Sequence, residues 1–308
     1  PLTGYSSGLV ADETIRWLDK ERDRGKPFFL FVCFHEPHEP IASAPEFTKL
    51  YNFPDDPSRV AHHGNISQMD AAFGRIMKCL DDQKLADSTL VFFTSDNGPA
   101  ITGIHPHGSA GPLRGKKGYV YEGGIRVPGM LRWPGRIKPA QTSDEPVCGV
   151  DVLPTLCALA GVDVPRDRAL DGASLVPLFE GKPVARRTPL YWQFNGALSE
   201  PKVAMRVGDW KLLAKLNTPD PPRGADITKE AQQAFKSAEL AGYELYNLRE
   251  DLGETRDLAL KEPARVKEMA AQLKKLSHEV RDESPTWPEW KWPRYEAERI
   301  EWPAYRKK

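Results

Sequence analysis

Three short loops hold the residues whose types and spacing could do chemistry. His35 to Pro40 reads HEPHEP, Ser95 to Gly98 reads SDNG, and Gly111 to Gly118 reads GPLRGKKG. A carboxylate beside an amide oxygen, as in Asp96 and Asn97, offers hard oxygen ligands suited to calcium or magnesium rather than zinc. A lysine on a glycine-flanked loop can approach an oxyanion closely. Together the loops indicate oxyanion chemistry beside a metal ion.

Each loop also has a simpler interpretation when it is taken alone. Asp-Asn-Gly is a common turn, because Asn and Gly tolerate positive φ. His-x-x-His among prolines is more often a rigid turn than a site, and GPLRGKKG fits a solvated basic hairpin. The chemical interpretation therefore depends on the three loops meeting in space.

The elements before these loops alternate in type. Apolar residues at helical spacing predict a first helix near residues 10–18 and a second over 66–80. The apolar run 28–34 and the run 89–94 predict buried strands, the first bounded by Gly25-Lys26-Pro27. This alternation predicts an α/β fold with a largely parallel sheet sandwiched by helices, whose loops at the carboxyl ends of the strands form the crevice.

The pattern changes near residue 185. Before it, a strand is predicted over 129–133, and a helix that Asp151 caps and Gly161 ends. After it, short β-rich runs and one amphipathic helix over 264–280 predict a small antiparallel sheet with a helix. The short strands are predicted at Leu190 to Phe194, Val203 to Val207, Lys211 to Leu216 and Glu244 to Leu248. We therefore expect a main domain over 1–184 and a small C-terminal α+β subdomain over 185–308.

The composition excludes several classes of protein. The chain has 43 lysines and arginines and 43 aspartates and glutamates, so its formal net charge is zero. This balance argues against nucleic-acid binding or a polybasic membrane-binding surface as the main function. No apolar run approaches the roughly 18 residues of a membrane span. The four cysteines show no C-x-x-C spacing and read as buried thiols, Cys33 included.

The ordered motifs resemble those of the calcium-dependent, formylglycine-type sulfatases, the arylsulfatase and N-acetylgalactosamine-6-sulfatase group of the alkaline phosphatase superfamily. The resemblance covers nearly the whole chain. It is carried by five blocks in order: Phe28 to Pro40, Phe92 to Pro99, Gly115 to Pro134 with its YEGG core, Asp151 to Leu156, and ELYNL at 244–248 leading to Gly253-Glu254.

The resemblance implies a role for several residues. By position, Asp96 and Asn97 correspond to calcium ligands, His38 to the histidine beside the scissile oxygen, and Lys117 to the sulfate-binding lysine, with Lys116 the less favoured neighbour. His35 is expected in the same pocket. His105 and His107, between the Asp-Asn pair and Lys117, are candidate substrate contacts, although a solvated loop is the default expectation for them.

One family feature is missing from the sequence. The family carries near its amino terminus a pair of aspartates for the same calcium and a Cys/Ser-x-Pro-Ser/Ala-x-Arg-like segment whose first residue becomes formylglycine, the nucleophile. The nearest match, DDPSR at 55–59, has aspartate in the oxidisable position and is interpreted as a loop. We therefore expect the chain to lack the family's N-terminal portion and to be inactive alone.

Three functions remain open from the sequence. The favoured one is a sulfatase acting on a sulfated sugar, such as a glycosaminoglycan, or on an aryl sulfate; the resemblance alone favours a periplasmic, extracellular or lysosome-like location. The others are a phosphoesterase or phosphonate hydrolase of the same superfamily, against which Lys117 and the YEGG block argue, and a non-catalytic binding protein that has lost its nucleophile.

Two further expectations concern the rest of the chain. His62 and His63 are expected at the surface. Four tryptophans, Trp287, Trp290, Trp292 and Trp302, crowd among prolines at the carboxyl end, where a long helix is forbidden. So much apolar ring surface predicts a clasp across the main domain, with a subunit contact or a sugar-stacking surface as alternatives.

Overall fold

The computed structural model describes residues 3–103, 106–218 and 227–290. Its α-helices are α1 (Ser6–Arg16), α2 (Pro45–Thr48), α3 (Pro57–Asp82), α4 (Glu122–Ile125), α5 (Val152–Ala160), α6 (Lys229–Lys236) and α7 (Pro263–Glu283). Its strands are β1 (Val91–Thr94), β2 (Gly129–Arg132), β3 (Leu190–Gln193), β4 (Val203–Val207), β5 (Trp210–Leu216) and β6 (Leu240–Asn247). Among the described helices, none is long and apolar enough to cross a membrane.

The helices α1 and α3 form the first layer, as their apolar spacing predicts. Ala11 of α1 packs on Ala72 and Ile76 of α3 in a small buried cluster. The helix α3 begins where the sequence suggested a loop: the Asp56 carboxylate accepts a hydrogen bond from the Arg59 N–H at 3.0 Å, and proline follows at the first helical position. The DDPSR segment is therefore a helix cap with its first turn.

The apolar run 28–34 is extended but is not the buried strand that the sequence predicts. Its even-numbered side chains pack on the helices, whereas Phe29 and Phe31 are 67% and 82% exposed. Within the described ranges no strand pairs with it and none of its backbone groups joins a backbone hydrogen bond. Cys33 lies on the same outer face and is exposed rather than in the core.

The strand β1 has β2 as its partner, and the pairing is antiparallel, with Val91 opposite Arg132 and Thr94 opposite Gly129. Both strands lie where the sequence predicts them. A parallel neighbour of β1 is not found among the described residues. What matters for the site is that β1 ends at Thr94, so the Ser95–Gly98 loop leaves directly from its carboxyl end.

A four-stranded antiparallel sheet follows, in the order β3-β4-β5-β6. Its core joins Met205, Leu212 and Leu245 to Leu273 and Leu276 of α7. This confirms the predicted small C-terminal sheet with a helix. The strand β6 starts earlier than predicted, and an irregularity between Leu213 and Lys215 interrupts its register with β5. The boundary at residues 184 and 185 stays a prediction.

The described part of the carboxyl end contacts its own subdomain. Trp290 forms a backbone bridge with Ile227, and the backbone of Trp287 forms two hydrogen bonds with the Gln232 side chain of α6. The rings of Trp287 and Trp290 are 61% and 45% exposed. Trp292 and Trp302 lie outside the described residues, so the clasp across the main domain stays a prediction.

Asp151 precedes α5, but its carboxylate does not cap that helix as predicted. It turns the other way and accepts the N–H groups of Cys148 and Ala173, each at 2.8 Å. Arg186 completes the set with two hydrogen bonds of 2.7 and 2.8 Å to the two carboxylate oxygens. The helix ends at Gly161, whose φ of 67° confirms the predicted left-handed cap. An ion pair with a fully buried carboxylate thus ties three segments together.

Breaking this pair should destabilise the fold strongly. We expect Arg186→Met to lower the free energy of unfolding by about 3–5 kcal/mol, because it leaves the Asp151 carboxylate buried without its cation. Urea unfolding of the 308-residue chain measures it. The control is Arg166→Met, which breaks an exposed pair with Asp163 and should cost less than about 1 kcal/mol. Equal losses would contradict the assignment.

Candidate functional site

The Ser95–Gly98 loop presents two side chains whose oxygen atoms have no partner among the described residues. The Asp96 carboxylate is exposed and makes no hydrogen bond or ion pair with them. The Asn97 amide donates from Nδ2 to the Gly98 carbonyl at 3.0 Å, which directs the nitrogen into the loop and leaves Oδ1 available as an acceptor. Ser95 Oγ holds the Asn97 carbonyl at 3.1 Å. The loop is shaped so that both side-chain oxygens remain open to a ligand.

The backbone of α4 locks this loop from the other side. The Gly98 N–H donates to the Gly124 carbonyl at 2.9 Å, and the Gly123 N–H donates to the Arg114 carbonyl at 2.7 Å. A Cβ atom at Gly98 would lie 1.9 Å from the Gly123 carbonyl oxygen. Only glycine permits so close an approach of two backbones.

The two adjacent lysines of the GPLRGKKG loop differ in their surroundings. Lys116 donates its ammonium to the Ile101 carbonyl. Lys117 donates only its backbone N–H, to the Pro99 carbonyl at 3.0 Å. Its ammonium has no partner within the described part of the chain. Lys117 is therefore the lysine available to an anion, whereas Lys116 holds the loop in shape.

The histidine loop is fixed by a buried carboxylate. Glu36 accepts hydrogen bonds from Ser6 Oγ at 2.7 Å, from the Ser7 N–H at 2.8 Å and from Gln68 Nε2 at 3.2 Å. Burial would raise the pKa of this carboxyl, but the Ser6 and Ser7 hydrogen bonds outweigh it and hold the pKa below its usual value. The carboxylate thus ties the loop to the start of α1 and to α3.

His38 is held in one tautomer by its own loop. Its Nδ1 donates to the Glu39 carbonyl at 2.7 Å, because a carbonyl can only accept. Nε2 is left for a ligand. His35 packs edge-on against it, with ring centroids 5.6 Å apart, and both rings are exposed. Thr102 Oγ1 reaches Glu39 at 3.4 Å, so this loop meets the segment that follows Asn97.

Two other histidines, His62 and His107, lie differently from expectation. His107 Nε2 bonds to Ser58 Oγ at 2.6 Å and lies 3.6 Å from Asp56 Oδ1, so the described contacts of this ring join its loop to the start of α3. His62 is buried rather than at the surface, with its ring 6.0 Å from that of His107. His105 lies outside the described residues.

The C-terminal sheet contributes side chains that sequence reasoning missed. Arg114 lies over the Tyr121 ring, 3.8 Å from its centroid, and donates to Tyr246 Oη at 2.8 Å. Tyr121 and Tyr246 both donate to the Glu244 carboxylate. Burial, and then the charge and hydrogen bonding of Glu244, raise the pKa of both tyrosines, so both stay protonated donors.

Beneath these rings lies a fully buried charge cluster. Lys211 of β5 places its ammonium 2.9 Å from Glu122 Oε1 and 2.8 Å from Glu254 Oε1. The signal in the sequence was a lysine inside the apolar strand KLLA, together with glutamates in two of the family-like blocks. Those glutamates belong to YEGG and to Gly253-Glu254, and neither pattern by itself indicates a partner.

Comparison with known proteins decides the family. The sulfatase family model matches residues 1–162, and the model of the N-sulphoglucosamine sulphohydrolase C-terminal region matches residues 115–234. The chain belongs to the sulfatase family. Its site loops therefore lie in the part shared by sulfatases, and the sequence resemblance is confirmed.

Individual sulfatases agree with this assignment. Human arylsulfatase A is 34% identical over 260 residues, covering 83% of this chain and 49% of that protein. Rat steryl-sulfatase is 41% identical over 167 residues, covering 52% of this chain and 28% of that protein. The chain thus spans half or less of the curated relatives it matches.

A solved structure confirms the fold class. Ps i-CgsB in complex with k-i-k-neocarrahexaose superposes with a TM-score of 0.76 at 25% identity, covering 96% of this chain and 59% of that one. The predicted α/β fold of the alkaline phosphatase type is therefore correct, even though the described sheet pairings are antiparallel.

Filling the space at Gly98 should disturb the candidate site. We expect Gly98→Ala to lower the free energy of unfolding by about 2 kcal/mol or more, because the new Cβ would displace the α4 backbone. It should also expose the amide of residue 98 to hydrogen exchange. Gly103→Ala, in the segment that follows this loop, is the control, because a Cβ there meets no atom of the described residues within 4 Å. Similar stability for the two variants would disprove the backbone lock.

Proposed function

We propose that this chain carries part of the active site of a sulfuric ester hydrolase. The observation that supports it best is the backbone hydrogen bond from Lys117 to Pro99, which joins the Lys117 loop to the segment that carries Asp96 and Asn97. Among the described residues the Lys117 ammonium and the side-chain oxygens of Asp96 and Asn97 have no partner. Positive charge beside hard oxygen ligands suits a sulfate group and a bound cation.

In this proposal Lys117 binds the sulfate oxygens. Its ammonium neutralises the negative charge that the sulfuryl group carries as the ester bond breaks, which is the kind of preorganised stabilisation that contributes most to catalysis. The hydrogen bond between its N–H and Pro99 fixes the backbone from which the side chain extends.

His38 acts as general acid in the same proposal. With Nδ1 engaged by the Glu39 carbonyl, a protonated imidazole presents its Nε2–H outward and delivers that proton to the departing alcohol oxygen. His35, which packs against it, lines the pocket. The proposal assigns the nucleophile to no residue of this sequence, because none matches the formylglycine motif.

Asp96 and Asn97 fit a calcium ion as two of its ligands. Both present oxygen, which calcium prefers, and both have that oxygen free of other described partners. No group of three or more His, Cys, Asp or Glu able to hold a metal occurs among the described residues. A bound calcium ion would add positive charge beside the sulfate oxygens.

The substrate class proposed is an aryl sulfate or a sulfated carbohydrate. Two names support it: arylsulfatase A among the relatives, and the complex of Ps i-CgsB with k-i-k-neocarrahexaose among the solved structures. The phosphonate hydrolase alternative predicts faster turnover of an aryl phosphonate than of an aryl sulfate. The binding-protein alternative predicts turnover of neither.

The general-acid role is tested by leaving groups. In the protein expressed from its complete gene, His38→Ala should slow esters of poorly acidic alcohols about 10²–10⁴-fold and leave 4-nitrophenyl sulfate much less affected, because a good leaving group needs little proton assistance. Steady-state kinetics over an aryl sulfate series measures it. Lys117→Ala should slow all members. Equal losses across the series for His38→Ala would refute the assignment.

Calcium affinity provides a separate test. Two donors fall far short of the six to eight that calcium takes, so the 308-residue chain alone should bind it weakly, with a Kd of about 1 mM or above. Calorimetry measures this. In the complete protein, Asp96→Ala should abolish tight binding. Stoichiometric tight binding by the 308-residue chain would mean that other residues within it complete the site.

A further inference from the structure

The stability of the fold does not by itself explain the buried charge cluster of Lys211, Glu122 and Glu254. Lys211 is completely buried, and so is Glu254. Burying an ammonium costs several kcal/mol unless its geometry with counter-charges is excellent, and an apolar residue of similar volume is often equally stable. Stability alone therefore does not explain the cluster.

The cluster forms hydrogen bonds with α4 at two points, the side chain and the backbone N–H of Glu122. Glu122 is the first residue of that helix; its side chain meets Lys211, and its backbone N–H donates to Glu254 Oε2 at 2.6 Å. Arg126 Nε donates to the other Glu122 oxygen, also at 2.6 Å. Burial would raise the pKa of Glu122, but the charges of Lys211 and Arg126 hold it below its usual value. Glu122 is therefore ionised and held from three directions.

The residues that follow Glu122 are those that lock the site. Gly123 and Gly124 lie directly against Gly98, and Gly124 accepts its N–H at 2.9 Å. The path from the Lys211 ammonium to the Asp96-Asn97 loop thus runs through one side chain, three residues of helix and one hydrogen bond. A shift of Glu122 moves the carbonyls on which Gly98 rests.

We infer that Lys211, through Glu122 and Glu254, is a positioning residue for Asp96, Asn97 and Lys117. It does not touch the substrate. It holds α4 in the position at which Gly123 and Gly124 contact Gly98 and the two site loops meet. The inference rests on the proposed function, and it gives the C-terminal sheet a part in the active site.

The chain offers a matched control for this inference. Arg186 and Asp151 form a second buried ion pair, which makes no described contact with either site loop. Lys211→Met removes a fully buried cation and leaves two carboxylates behind, and Arg186→Met removes a largely buried cation and leaves one. Both variants should lower the melting temperature, but only Lys211→Met should change the properties of the candidate site.

The experiment uses the protein from its complete gene, below the melting temperature of every variant. We expect Lys211→Met to weaken calcium binding and to lower kcat on 4-nitrophenyl sulfate by about 10- to 100-fold. Losses of this size are typical when a residue that orients metal ligands without binding the metal is replaced. The amide of Gly98 should exchange faster. Arg186→Met should leave calcium affinity, kcat and Gly98 exchange within twofold. Unchanged values in folded Lys211→Met would overturn the inference.

Two further variants keep the test decisive if Lys211→Met does not fold. Lys211→Met with Glu254→Gln removes the cation and one unpaired carboxylate together. Arg126→Met removes a cation that is partly exposed and should be milder. A folded variant of either kind with wild-type calcium affinity and Gly98 exchange would also count against the inference. If the unchanged protein hydrolyses no sulfate ester, the proposed function fails, while calcium affinity and exchange still test the positioning.

Discussion

The constraint on which the site depends is the neutralisation of one buried ammonium. Lys211 can stay inside the protein only if two carboxylates reach it, and these come from the start of α4 and from the turn at Glu254. Burial disfavours the charged form of Glu254 and raises its pKa despite the neighbouring Lys211 ammonium, and the negative charge of Glu122 adds to the increase. Satisfying Lys211 therefore brings three distant parts of the chain to one point.

The other half of the site is anchored by a different device. The histidine loop is held by Glu36, whose Oε1 accepts hydrogen bonds from hydroxyl, amide and backbone donors rather than pairing with a cation. Helices α1 and α3 supply those donors, so their packing sets where His35 and His38 lie. The site loops thus rest on two supports, one on the helices and one on the C-terminal sheet, and the contact between Thr102 and Glu39 bridges them.

The sequence predicted those features that depend on local periodicity and on motif order. Helices α1, α3, α5 and α7, the small sheet and the family followed from such patterns. The predictions that were wrong depend on contacts between residues distant in sequence. Asp151 was predicted to cap α5, but its carboxylate bonds to Arg186 and to two backbone amides instead. The apolar run 28–34 lacked a pairing strand among the described residues, and Lys211 gave no sign of its partners. Composition and spacing carry no information about such distant pairings.

The contact among Gly98, Gly123 and Gly124 has a consequence for how this enzyme family can diversify. Three residues without side chains meet backbone to backbone, so point mutation can only add atoms there, and a Cβ at any of the three would lie 1.9 to 2.4 Å from a carbonyl oxygen. A side chain at any of these positions would have to displace a backbone carbonyl. Changes in substrate range are therefore expected in the surrounding exposed loops rather than at this contact.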